Sequence, residues 1–366
     1  MDLGMSPGED AGRPMGGNQG MIMQATQSKR SARARKAFSL IELLVVIAVI
    51  GIVIAIIVPT LGGARNTAKA ASTKAQLTEI SNASQQFYTD NQRWPGYFTA
   101  RQMGDPSNLT RGFSGMQNVM LDLAGGIVAT TGPNTRDVGP ISGEEVTVDL
   151  TLIGTREAGG GYYTPTENRF VPQVGAGVGL QRAEDDNREL PSVVDSFGTP
   201  ILAWQRDRTA IQPVESIEDF AALDSSMDPA RFYWNNNAGF LRTTELGKRG
   251  KNPTFSTDEY SLVGAGLTPD TELLEHMAVL LGSPSLPNEA FPQGPAAARG
   301  DLIFHSGGID AMYMSSKDLS GRGEVRFWQS FYTDDGGSTR LTDAEGRVET
   351  VDILARFDDM IESVGN

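Results

Sequence analysis

The chain has 366 residues, a formal net charge of −14, two histidines and no cysteine. With 39% hydrophobic and 21% charged residues it is rich enough for a sizeable core, and its length allows one to three domains. No cysteine excludes a disulfide framework, a thiol nucleophile and a cysteine-ligated metal. Two histidines leave little for histidine catalysis or zinc, and the acidic balance argues against nucleic acid as a partner.

The charge is uneven. Residues 1–37 hold six bases and three acids, a net of +3, which leaves −17 on the other 329 residues. Five of the bases lie between Lys29 and Lys36, directly before the most apolar stretch. From Phe38 to Val58 the chain runs for 21 residues with one charge, Glu42. At about 1.5 Å per residue a helix there spans roughly 30 Å, the hydrocarbon thickness of a bilayer. The basic cluster before it predicts a cytoplasmic N-terminus and an exported C-terminus.

Three readings compete for this segment. A secretory signal peptide would be cut after Ala68-Lys69-Ala70, but the apolar run Leu43–Val58 is long for that purpose. A plain signal anchor would stay uncut. The third reading accounts for Glu42. A carboxylate near the end of a spanning helix is costly unless paired, so it marks function by default. Small Ala37 precedes Phe38, so a cut between them would create an ammonium beside the membrane. Glu42 is placed to pair with that ammonium or with a neighbour's, which would set the register of an assembly.

The run Lys36-Ala37-Phe38-Ser39-Leu40-Ile41-Glu42-Leu43-Leu44-Val45-Val46-Ile47 resembles the prepilin-type N-terminal cleavage/methylation motif of type IV pilins and type II secretion pseudopilins. The resemblance implies a prepilin peptidase cutting before Phe38, N-methylation of Phe38, and an assembly role for Glu42. Family members usually have glycine where Ala37 stands. The 37-residue leader is long, and Met21 and Met23 offer later starts. Gly51 and Pro59 are poor helix-interior residues. One reading is a membrane-helix irregularity tolerated by neighbours. In the family they let the stretch between them loosen during filament packing.

After Pro59 the chain turns polar but stays helix-favouring, and Leu77, Ile80 and Phe87 share one stripe. This predicts one helix over 38–91, with residues 61–94 as its amphipathic continuation. Phe87-Tyr88-Thr89-Asp90-Asn91-Gln92-Arg93-Trp94-Pro95-Gly96 resembles the segment that leaves the long helix of G-type pseudopilins, and Pro95-Gly96 supplies the break.

Residues 95–190 are rich in glycine, threonine, asparagine and proline and read as a loop-rich insertion, with a helix at Met116–Leu123 and a strand within Glu145–Leu152. The glycine run 175–179 lacks the spacing of a dinucleotide fingerprint and reads as a loop. Residues 191–366 read as a β-rich exported domain. Asp195-Ser196-Phe197-Gly198-Thr199-Pro200-Ile201-Leu202-Ala203-Trp204 is a turn feeding a strand, and it too resembles a pseudopilin segment. Further strands are expected at 231–234, 239–243, 260–263, 302–305, 311–315 and 325–332. A short helix is expected at 216–223. A longer one is capped by Thr268 and Pro269, carries Leu273, Met277, Leu280 and Leu281, and is closed by Gly282. Val351, Leu354, Phe357 and Ile361 predict a terminal helix over 351–364.

The segment 301–311 resembles the stretch before the calcium loop of G-type pseudopilins, which implies calcium near Asp310 and Asp318. Asp334, Asp335 and Asp343 offer further hard oxygen ligands, and solvated turn carboxylates are the plainer reading. The missing disulfide favours the pseudopilin branch over type IV pilins. His305 reads as a loop histidine and His276 as a surface residue of its helix.

The expected architecture is α+β, pilin-like: a long N-terminal helix, transmembrane in its first half (38–60), packed on an antiparallel sheet with a large insertion. The expected function is a structural subunit rather than an enzyme. It would sit in the bacterial inner membrane with an exported domain, and partner prepilin peptidase and other pilin-like subunits, without nucleic acid. The alternative is an anchored exported protein with the same N-terminus that binds a surface partner without polymerising.

Overall fold

The computed structural model describes residues 39–155, 161–172, 187, 189–210, 213–226, 228–242, 260–264, 270–286, 288, 290–319, 325–331 and 341–365. The Ala37–Phe38 junction, the 175–179 glycine run, Thr268-Pro269 and Asp334-Asp335 lie outside these residues. The chain divides between Val58 and Pro59 into two compact units.

Helix α1 (Leu40–Asn91, 52 residues) contributes to both units. In the first, Leu40–Val58 is exposed along its whole length. Its most apolar window has a mean hydropathy of 3.3 with none of it buried, so this helix is long and apolar enough to cross a membrane. In the second unit α1 becomes a stem whose inner stripe is Leu77, Ile80, Ala83 and Phe87, all buried. Helix α1 ends where Gln92 turns left-handed, with φ of +56°.

The stem is followed by α2 (Ala100–Met103), α3 (Asn108–Arg111) and α4 (Gly115–Leu123). Then come strands β1 (Thr135–Val138), β2 (Val146–Asp149), β3 (Phe170–Val171), β4 (Ser192–Val193) and β5 (Leu202–Gln205). The remainder is α5 (Ile217–Phe220), β6 (Ala221–Ala222), β7 (Phe232–Tyr233), α6 (Ala238–Leu241), α7 (Asp270–Leu281), β8 (Leu302–Ser306) and β9 (Met360–Val364).

The central sheet is antiparallel, in the order β5-β8-β9, with Leu202 opposite His305 and Leu302 opposite Val364. Strand alternation puts one set of side chains on each face. Ile201, Ala203, Leu302, Phe304 and Val364 meet the stem and α4. Leu202, Trp204 and Ile303 belong to the core cluster that also holds Met277 and Leu280 of α7. The sheet therefore lies between stem and α7. Each large side chain buried there contributes about 1.5–3 kcal/mol. Residues 97–190 have a core of their own, built from Phe98, Met103, Phe113, Leu121, Val148 and Leu190. Helix α4 ties it to the sheet at Gly115, where a Cβ would lie 2.0 Å from the Ala203 carbonyl oxygen.

Five expectations about the elements need correction. Residues 260–263 form a turn rather than a strand, with one isolated bridge from Ser261 to Ser315. Of residues 239–243, the described ones are not a strand: Ala238–Leu241 is helix α6, buried on every side, and an apolar run buried all round carries no period to read. Residues 311–315 are turns, because Ala311 and Met314 take φ of +62° and +47°. Residues 325–332 hold a 3-10 turn at Phe327–Ser330. The terminal helix is absent: a 3-10 turn at Ile353–Arg356 buries Ile353 and Leu354, and Met360–Val364 then pairs along β8 as strand β9. Five residue pairs on a waiting sheet edge outweigh local helix spacing.

Candidate functional site

The sequence marks two places, the start of α1 and the loops around Asp310. At the first, the Ser39 N–H donates to Glu42 Oε2 at 2.9 Å, and the Ile41 N–H donates to Ser39 Oγ at 3.3 Å. Serine at the cap and glutamate three residues on thereby tie off N–H groups that have no partner within the helix, in a variant of the capping box in which the serine serves the second helical residue. Glu42 is thus held by its own backbone at the positive end of the helix. Ser39-Leu40-Ile41-Glu42 was the sequence signal for it. At Gly51 an added Cβ would meet nothing within 4 Å, so nothing in its own chain requires glycine there. Pro59 lies inside α1 and offers no backbone donor to the preceding turn.

The stem is fixed to the body where α1 ends. Trp94 stacks on Tyr88 with centroids 4.4 Å apart, and its Nε1 donates to Asp301 Oδ2 at 3.0 Å. Arg93 forks onto Asp122, and the Tyr162 hydroxyl donates to Asp90. Lower on the stem, Arg169 donates to Gln76 and Ser72. The segment 87–96 therefore works as a joint.

At the second place, ligand atoms of Asp310, Asp318 and Asp358 all lie within 4.8 Å of one another. Asp358 Oδ2 accepts the N–H groups of Ile309 (2.6 Å) and Asp310 (3.1 Å), while its Oδ1 is buried without a hydrogen-bond partner among the described residues. Burial, followed by the neighbouring Asp358 charge, pushes the Asp310 carboxyl up to about 7. Burial and then Asp359 push Asp358 up to about 6, and burial raises Asp318. Crowded carboxylates of this kind can share protons or hold a hard cation such as calcium, whose six to eight ligands would include oxygens beyond these three side chains. Asp343 is elsewhere, in an exposed turn closed by Arg347. Asp358 was missed because it sat in the expected terminal helix, 40 residues from Asp318.

Both histidines are buried, contrary to expectation. His276 lies on α7, where its Nδ1–H donates to the Leu262 carbonyl at 2.8 Å and its Nε2 accepts from the Val325 N–H at 3.2 Å. Burial holds it neutral, down to about 4. His305 is in β8, hydrogen-bonded through Nε2 to Asp359 and edge-on to Tyr313. The adjacent Ser306 donates to a different carboxylate, Asp195, at 2.7 Å.

Residues 32–58 match the family model of the prokaryotic N-terminal methylation motif. The chain carries a prepilin-type N-terminus. The matched residues end at Val58, where the first compact unit also ends. This prepilin-type segment implies processing by prepilin peptidase, and with one apolar helix it fits a single-pass, membrane-anchored subunit of pilin-like kind. No curated protein and no solved structure matches the chain.

Proposed function

We propose that the chain is a structural subunit, cut between Ala37 and Phe38 and methylated on Phe38, which assembles through α1 into a pilus-like filament of the type II secretion pseudopilus kind. The observation that carries the reading is a lone carboxylate, Glu42, at the start of a fully exposed apolar helix inside the matched motif. In a packed filament Glu42 would exchange its bond to the Ser39 backbone for an ammonium, and an unpaired glutamate would oppose assembly. Gly51 and Pro59 would give the helix freedom to adjust in the packed state. The resemblance of 87–96 and 195–204 to pseudopilin segments supports the G-type branch, and we assign no enzymatic activity. In the same reading Asp310, Asp318 and Asp358 hold a calcium ion, which would offset their mutual repulsion and fasten the residues before β9 to the 307–319 turns.

The chain has no cysteine, so introduced cysteines give clean crosslinking. With Leu44→Cys and Val53→Cys combined in one chain in membranes, so that each subunit can link to two neighbours, assembly predicts a ladder of homo-oligomers, and Glu42→Ala abolishes it while leaving insertion intact. Monomer alone in the otherwise unaltered chain favours the partner-binding anchor. A ladder undiminished by Glu42→Ala refutes the register role.

A further inference from the structure

Where α1 ends, residues 93–97 fold back beside β5 and the loop after it, enclosing a cavity of about 330 Å³. Three arginines line it, and they are not equivalent. Arg93 is closed by Asp122, with two bonds of 2.6 and 2.9 Å. Arg208 reaches Asp301 Oδ2 at 2.8 Å, on the oxygen that also accepts from Trp94. Arg206 reaches Asp301 Oδ1 at 3.4 Å, and its Nε is buried with no hydrogen-bond partner among the described residues. The remaining carboxylate on the wall, Asp207, accepts from Thr209 and the Tyr233 hydroxyl. It leaves the Nε of Arg206 without an acceptor among the described residues.

A buried guanidinium N–H without an acceptor is costly, and such groups in folded proteins have a partner or await one. A second observation points the same way. The fully buried Arg231 is pushed down to about 10 by burial and then by the charge of Arg206. The Arg206 side chain is 31% exposed, so an anion can meet its guanidinium from the cavity and would offset the charge that burdens Arg231. The cavity is large enough for a small ligand, and the half-exposed Tyr97 ring on its wall offers an apolar platform.

We propose that this cavity at the base of the stem is a binding site for a small ligand bearing a carboxylate or a phosphate, with Arg206 donating to the anionic group and Arg208 beside it. The site is separate from the assembly helix and from the Asp310 cluster. Trp94, which lines the cavity, also stacks on Tyr88 of the stem, so a bound anion would brace the joint between stem and body.

The test is calorimetric titration of the full chain in detergent with glucuronate, glucose 6-phosphate, inorganic phosphate and uncharged glucose. The expected result is saturable one-site binding of at least one acidic probe and none of glucose. Arg206→Gln should weaken it by about tenfold or more, and Arg208→Gln by less. Tighter glucuronate assigns a carboxylate ligand, and tighter glucose 6-phosphate or phosphate assigns a phosphate ligand. No saturable binding of any acidic probe, or binding undiminished in Arg206→Gln, overturns the proposal. If Arg206→Gln shifts the ligand-free melting midpoint, Arg208→Gln decides, since that side chain is 56% exposed and its loss leaves the core intact.

Discussion

Asp310 and Asp358 bind protons more tightly in the folded chain than in the unfolded one, and this fixes the sign of their contribution. With both carboxyls pushed up, to about 7 and about 6, the folded state holds the extra protons between about pH 4 and 7. Their contribution therefore falls as pH rises through that window when no cation is present. Asp310→Asn removes the repulsion and should stabilise the metal-free chain at pH 8 by about 1–3 kcal/mol, read as a higher melting midpoint. Calcium should raise the midpoint of the parent chain at pH 8, by about 2.7 kcal/mol of stability at a hundredfold excess over its dissociation constant, and should do less for Asp358→Asn. Equal calcium shifts in the two would leave the cluster a proton-sharing site. His276 works in the opposite sense. It is held neutral down to about 4, so the unfolded chain alone takes up its proton as pH falls below about 6.5. His276→Leu should lose about 2–4 kcal/mol at neutral pH, because it strips the partners from Leu262 and Val325, and it should flatten the acid limb of the stability profile.

Helix α1 has two halves with different duties, and single substitutions separate them. Ile80 is fully buried on the sheet, and Ile80→Ala should destabilise the body by about 2–5 kcal/mol. Leu44 is exposed, and Leu44→Ala should leave the melting midpoint of the body unchanged while it can still impair crosslinking. Equal loss from both would mean that the apolar half also supports the body. Elements with a strong local signal were legible in the sequence. The extent of α1 could be read from its apolar run and the stripe after it, α7 from capping and spacing, and β5 from the turn that feeds it. What stayed illegible depends on distant pairing. Strand β9 exists because β8 presents a sheet edge, and its preceding Asp358 reaches Asp310 from 48 residues away. The left-handed turns at Ala311 and Met314 occur at non-glycine residues, where no local rule announces them. The cavity at Arg206 gathers residues from 93–100, 205–209 and 301, a set that no spacing reveals.

At the scale of the whole chain, a basic N-terminal stretch, an apolar helix with one carboxylate and an acidic body follow one another in sequence order. The methylation-motif match lies within the first compact unit, so the body's role rests on its joint to α1 and on its own sites. The central claim is that this N-terminus is processed as a prepilin. Mass spectrometry of the N-terminal peptide from membrane-extracted protein tests it most directly. The account predicts a chain beginning at N-methylated Phe38. A chain beginning at Ala71, or one that keeps its leader intact, would contradict it.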